Sequence, residues 1–533
     1  MTWRRHLATA DPFHVNDHET QDYDKTTTSN ELLEQAPATR KELWGYYLYY
    51  NGNNGYTIYS YMPTILQYLA YRGGFDPDTH GPCDIQNAMK PCHVRWLNTA
   101  NGLPVSSMML YLQAIAFSIQ FLLFTTFGSL ADYGRWNRYI LLIATVIACT
   151  TQILPIAFVH DDGSHWGIMM AIFAIALISY GTTLVFYAAA FPTLSDNLPI
   201  VRQARVNPNL TPQEKEVVVE QWRNHVSAIS TTFSNIGFVF LTALLSGVSF
   251  IRYSDGTKLG DLPVYNFIST VVCGAFWVLN AIPYFVFQPR KRCGPPLPPG
   301  ENYFTIGWTS IIKALREARK LRYLFMYIFA YFMFSDAVST ISQMTTIITG
   351  EITSFSAVQI TLQSLVTAIT SIIGCLFFLW LSKRFQVKTK TNLLVIVVTT
   401  ALVPVWGCFG ISMSNFGIKT QWELWILAAW SGFFTAPIWA WQQTMLAELT
   451  PKGKENLFFG LFGIVNKASS WIGPVVVGAI SQATSNVWTG WPFVLALFVA
   501  ATAIILMIDV EAAKRELADY VQDNTTVLSP CTK

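Results

Sequence analysis

Asp336 and Lys467 each interrupt a long apolar run, RYLFMYIFAYFMFSDAVSTISQMTT and NLFFGLFGIVNKASSWIGP. Their charges are opposite. Together they could hold a ligand bearing both signs, or they could pair with each other and meet no ligand. Asp336 alone could carry a proton. Asn51, Gly52, Asn53, Asn54 and Gly55 form a third polar interruption. Asn and Gly are poor helix formers, and their amides need partners wherever water is absent. A locally opened helix lining a wet cavity is the expectation; close packing through the glycines is the structural alternative. Tyr187, Trp439, Gln442 and Gln443 suit a wall that is mostly apolar with a few amides. Gln343 lies seven residues beyond Asp336 on the same helical face. No phosphate loop, Ser-His-Asp order, paired catalytic carboxylates, metal-ligand spacing or cofactor motif is present, which argues against an enzyme.

The elements that position these residues follow from composition. Of 533 residues 52% are hydrophobic and 13% charged, about half the charged share of a soluble domain. Twelve runs approach the roughly 20 apolar residues that cross a bilayer. They lie near 43–70, 104–131, 139–159, 166–192, 225–250, 264–288, 323–349, 357–381, 391–413, 423–447, 457–483 and 489–509. At 1.5 Å per residue Asp336 sits about 20 Å into the seventh run and Lys467 about 15 Å into the eleventh. The first 42 residues lack an apolar core, so no cleaved signal is expected there.

With both termini cytoplasmic, Lys and Arg divide 28 to 6 in favour of the cytoplasmic side, Lys467 lying within a span. That ratio sets the expected orientation. The net charge of +3 is too small to imply nucleic acid. The expected organisation is a cytoplasmic segment 1–42, a six-helix bundle 43–288, a linker 289–322, a second bundle 323–509 and a tail 510–533. From Thr309 to Arg322 the linker is amphipathic and basic. It could bind acidic lipid head groups or simply brace the bundle from below.

Two six-helix halves should show a repeat. Sliding by 282 sets Asn54 over Asp336, and sliding by 236 sets Gly237 over Gly473. The loop GSLADYGRWNR at 128–138 carries Gly128, Asp132, Gly134, Arg135 and Arg138 in an order that resembles the signature loop of the major facilitator superfamily, one residue short before Gly134. In that reading Asp132 pairs with Arg across a cytoplasmic gate in one access state and not the other.

Three further stretches narrow the resemblance: YNGNNGYTIYSYMPTILQY at 50–68, YAAAFPTLSDN at 187–197 and AELTPKGKENLFFGLFGIVNKASSWIGP at 447–474. They are similar to the fungal vacuole-effluxer family, autophagy-related protein 22. The resemblance implies an all-α major-facilitator fold of twelve spans in the vacuolar membrane. It also implies export of amino acids of the leucine, isoleucine and tyrosine class after autophagic breakdown. Asp336 and Lys467 would then meet the ammonium and carboxylate of a zwitterion, with protons as a conceivable coupling ion. Rival readings are an exporter of another small organic molecule and a non-transporting factor in autophagic-body breakdown. Apart from the family, the sequence contains only Glu31-Leu32-Leu33 as a poor sorting signal.

Of 8 Cys, Cys83 and Cys92 share the expected lumenal loop, where disulfides are permitted. A structural bond between them is expected. Gly473-Pro474 marks a kink in the eleventh span that serves either gating or packing.

Overall fold

The computed structural model describes residues 37–85, 90–96, 102–127, 136–252, 256–289, 302, 304–316, 320–354, 356–385, 387–450 and 455–517. Among them ten helices are long and apolar enough to cross a bilayer. The second to sixth spans are built on Val105–Phe127, Trp136–Ile153, Trp166–Asp196, Pro212–Ser249 and Val264–Phe287. The seventh to ninth are Arg322–Ile352, Ala357–Phe385 and Thr389–Ser412, and the twelfth is Trp491–Met507. The tenth runs Gln421–Trp430, a π-turn at Ser431–Thr435, then Ile438–Leu449. The outer surface exposes Ile143, Val146, Leu279, Val286, Ile373 and Leu376, which only an apolar solvent tolerates over so wide an area.

The other two spans are broken. The first comprises Arg40–Gly52, Tyr56–Tyr59 and Tyr61–Gly73, interrupted at Asn53-Asn54-Gly55, where Gly55 has φ +75°. A left-handed residue ends a helix, and Gly adopts that conformation without strain. The eleventh comprises Glu455–Ser469 and Ile472–Thr484. Pro474 explains that break: its ring would clash with the carbonyl four residues earlier, at Ser470, but it is tolerated in the first turn of a new helix. The expected kink is thus a full interruption just before Gly473-Pro474.

The fifth span begins well before the expected 225, because Thr211 and Glu214 form a capping box and extend the helix beyond its apolar part.

Packing repeats between halves. The first span lies against the fifth and sixth, as the seventh does against the eleventh and twelfth. The third packs on the fourth and sixth, as the ninth does on the tenth and twelfth. At one crossing a Cβ on Gly237 would come 2.0 Å from the Asn51 carbonyl oxygen; at the other, one on Gly473 would come 1.9 Å from Thr340 Oγ1. The faint register Gly237 to Gly473 therefore marks equivalent close crossings.

Between halves the fifth span packs on the eighth and the second on the eleventh. Among the described residues, hydrogen bonds across this seam gather at the end remote from the termini. Tyr61 Oη meets Thr361 Oγ1 at 2.5 Å, and Gln67 Nε2 donates to the Ile347 carbonyl at 3.4 Å. Thr346 Oγ1 donates to the Tyr59 carbonyl at 3.4 Å. Ser106 and Ser481 share a bond of 3.4 Å, and Tyr111 Oη donates to Gln482 Oε1 at 2.7 Å. Tyr61–Gly73 packs on the seventh span, whereas Arg40–Gly52 packs on the fifth and sixth of its own half. These bonds join the halves at the far end as a latch, and nearer the termini the second span packs on Glu455–Ser469 of the eleventh.

That end also carries a small ribbon, His93–Val94 antiparallel to Leu103–Pro104, with bridges from Phe75 to Pro82 and His93. Cys83 and Cys92 are joined there, Cα atoms 5.6 Å apart. Nearby, Gly163 fits against Gly73, where a Cβ on either would fall within 2.4 Å of the other's backbone. The Gly163 loop is tied by Asp161, which accepts from the Gly163 amide at 2.6 Å and pairs with His165 at 2.5 Å. Burial pushes the Asp161 carboxyl up, but those contacts outweigh it and hold the group below the usual carboxylate range.

Glu423 is the most heavily bonded side chain of the second half. Its oxygens accept from the amides of Gly417, Ile418, Lys419 and Thr420, from Thr420 Oγ1 and from Trp406 Nε1, all between 2.7 and 3.1 Å. It is fully buried, so Glu423→Ala would orphan buried donors and should destabilise the protein by about 3 kcal/mol or more. Thermal unfolding in detergent should show a clear fall in Tm; an unchanged Tm would contradict this role. Peptide mapping without reductant should likewise return the 83 and 92 peptides cross-linked, and free thiols at both would refute the bond.

Candidate functional site

The site assembles where the broken spans cross their neighbours. On the seventh span, Asp336 Oδ1 accepts from the Gly473 amide at 3.0 Å. Gly473 is the second residue of Ile472–Thr484, so the carboxylate caps a half-helix whose first amides have no intrahelical partner. One helical turn on, Thr340 presents a buried hydroxyl with no partner among the described residues. Ser335 Oγ donates to Asn466 Oδ1 at 3.2 Å, tying the seventh span to the other piece of the eleventh. Gln343 Nε2 donates to Ser339 Oγ at 3.1 Å, while its Oε1 is buried and unpartnered. Lys467 stands in Glu455–Ser469, but its side chain lies outside what the structure describes.

The first-span break is held by its own amides. Asn51 Nδ2 donates to the Phe233 carbonyl at 2.8 Å and Asn53 Nδ2 to Thr183 Oγ1 at 3.1 Å. Asn54 donates to the Asn51 carbonyl at 3.1 Å and accepts from the Tyr56 amide at 3.1 Å. Asn51 and Asn53 are turned into the protein; Asn54 keeps partial exposure. A small cavity beside the break is lined by Asn54, Thr57, Gln152 and Trp277. Both Thr57 Oγ1 and Trp277 Nε1 are buried without a partner among the described residues.

Tyr187 is buried in an aromatic stack, its ring 4.2 Å from Tyr46 and 5.2 Å from Tyr49, with its hydroxyl bonded to Ser230 at 2.7 Å. Gln442 is buried, and its carbonyl accepts from Tyr327 Oη at 2.7 Å. Trp439 and Gln443 are exposed one turn apart on the tenth span. Gly128, Asp132, Gly134 and Arg135 fall outside the described residues. Arg138 donates to the carbonyls of Phe285 at 2.8 Å and Gln288 at 3.0 Å, a cation at the C-terminal end of the sixth span within its own half.

Tyr59 is not among the residues that the sequence singles out. In the structure it is 47% exposed although it lies midway along the first span. Its ring meets Tyr180 edge-on at 5.8 Å, and its carbonyl takes the Thr346 hydroxyl across the seam. Ser342, one turn before Thr346, is also exposed. Exposure at a seam between two halves means a crevice, and Tyr59 and Ser342 stand on its floor just above the latch. The one signal in the sequence is the position of Tyr59 four residues after Gly55.

The family described as "Vacuole effluxer Atg22 like" matches residues 38–518, nearly the whole described chain. The chain belongs to this family. Curated relatives include autophagy-related protein 22 of Yarrowia lipolytica, 23% identical over 92% of this chain and 99% of the relative. The Eremothecium gossypii protein of the same name is 24% identical over 95% and 98%. Among solved structures, a peptide transporter POT in complex with sulfate gives a TM-score of 0.56 at 13% identity, covering 90% of this chain and 99% of that one. The nucleoside transporter NupG gives 0.51 at 12%, covering 88% and 100%. Those likenesses show the major-facilitator fold. This Atg22-family member is accordingly a multi-pass transporter of the vacuolar membrane and not an enzyme.

Gly473→Ala should be severe, since its Cβ would sit 1.9 Å from Thr340 Oγ1 and 2.9 Å from Asp336 Oδ1. The purified variant should unfold at lower temperature by about 1–3 kcal/mol, the range for overpacking. Adding Thr340→Ala should recover part of the loss. Additive effects of the two substitutions would show that this crossing is not the tight one.

Proposed function

We propose that the protein exports neutral amino acids of the leucine, isoleucine and tyrosine class from the vacuole lumen to the cytosol by alternating access, both termini being cytoplasmic. The observation that carries this reading is the latch: among the described residues, the hydrogen bonds between halves collect at the end remote from the termini, below a crevice floored by Tyr59 and Ser342. Two halves that touch firmly at one end and hold an exposed midpoint can rock about that midpoint. The 28-to-6 division of basic residues puts the latched end in the lumen.

An amino-acid zwitterion needs an anion for its ammonium and a cation for its carboxylate. Asp336 supplies the first and Lys467 the second, on spans that adjoin each other. Asp336 also ties the solute to the fold, because it already caps Ile472–Thr484. An ammonium drawn to that carboxylate would compete with the Gly473 amide and so bear on the hinge of the eleventh span. A proton on Asp336 would bear on it in the same way, which gives a route to proton coupling.

Counterflow of labelled leucine and tyrosine in proteoliposomes tests this reading. Wild type should show saturable exchange, and Lys467→Ala and Tyr59→Ala at equal protein content should lose about tenfold or more of it. Exchange absent for every amino acid tried, with correctly folded protein, would point to another solute. A non-transporting factor would instead tolerate Lys467→Ala and Asp336→Asn in cells and fail when 1–40 or 511–533 is deleted.

A further inference from the structure

The central linker contains a helix, Ile306–Arg316, that packs against the second span and the first piece of the eleventh at the terminus-bearing end of the bundle. Ile306 and Gly307 are buried in that contact. The opposite side is not covered. Phe304, Trp308 and Ile312 are 64%, 41% and 48% exposed, and Arg316 and Lys320 are exposed beyond them. Within the helix Trp308, Ile312 and Arg316 recur every four residues in a stripe along one side, with Phe304 just before its start and Lys320 beyond its end. The ring of Phe304 meets Phe127 at 5.5 Å, and Phe127 ends the second span, whose Ile115, Ile119 and Leu122 are exposed apolar side chains. The stripe therefore adjoins the end of a membrane span. Arg322, the first residue of the seventh span, is exposed as well. From 309 to 322 the sequence has five basic residues and a single acid, Glu317.

We propose that this linker helix is a docking surface for anionic phospholipid, lying in the leaflet on the side of the termini with Phe304, Trp308 and Ile312 among the acyl chains and Arg316, Lys320 and Arg322 on the head groups. Two features select that occupant. The apolar stripe meets the end of a membrane span through Phe127, and the cations sit beyond it, where head groups begin. The first and second halves are joined through this segment, so a lipid that holds it also restrains the linker between them. The proposal is independent of which solute crosses.

Hydrogen exchange of the full-length protein tests it, in nanodiscs of phosphatidylcholine alone or mixed with phosphatidylserine. Amides of 304–322 should exchange several-fold more slowly with phosphatidylserine, about fivefold for each cation engaged. High salt should cancel the difference, and a soluble inositol phosphate should not reproduce it. Arg316→Gln with Lys320→Gln and Arg322→Gln should abolish the phosphatidylserine effect, while Trp308→Ser should speed exchange in both lipids. Slow exchange in Arg322–Ile352 checks that the triple variant is folded; if it is not, Lys320→Gln alone repeats the comparison. Equal exchange in the two lipids would overturn the proposal, as would a phosphatidylserine effect that survives the substitutions. Protection that follows protein copies per disc instead of lipid would assign the stripe to a second copy and equally overturn it.

Discussion

A helix broken inside hydrocarbon frees backbone donors and acceptors that no water can satisfy, and each must find a partner in the protein. This chain breaks two of its spans near their midpoints, and much of the central architecture answers that cost. Asp336 caps the second piece of the eleventh span through Gly473. Asn54 both donates and accepts across the break in the first, and Asn51 and Asn53 fasten that break to the fifth and fourth spans. Remove those polar groups and the interruptions become too costly to keep.

The breaks in turn set where the halves can bend. Tyr61–Gly73 bonds to the seventh and eighth spans while packing on the fourth and sixth, and Arg40–Gly52 packs on the fifth and sixth. The eleventh span divides in the same manner around Ser470 and Trp471. Glycines permit the close crossings that anchor the breaks, Gly237 over Asn51 and Gly473 over Thr340. At the end remote from the termini the disulfide ribbon, the Asp161 loop and the Glu423 knot are each tied by their own bonds, beside the latch. Asp336 is a structural cap, so under the proposed amino-acid reading its roles in folding and in solute binding would be coupled.

Hydropathy, the charge ratio and three family-like stretches were enough to read a twelve-span vacuolar transporter of the Atg22 family, because lipid imposes apolar length and the basic residues mark its faces. Asp336 was legible for the same reason: a carboxylate within an apolar run is costly wherever it points. The side to which a polar residue turns was not legible. Asn51 and Asn53 face the fourth and fifth spans and Tyr187 stands in an aromatic stack, since a run of Asn or Tyr says nothing about which neighbour meets which face. Tyr59 reaches the crevice because Gly55 turns the chain before it. The Glu423 knot depends on four amides brought round by a loop, and the latched far end on bonds between residues up to 375 positions apart. Composition and pattern therefore determined the solvent and the spans, whereas pairing across the seam exists only once the two halves have packed.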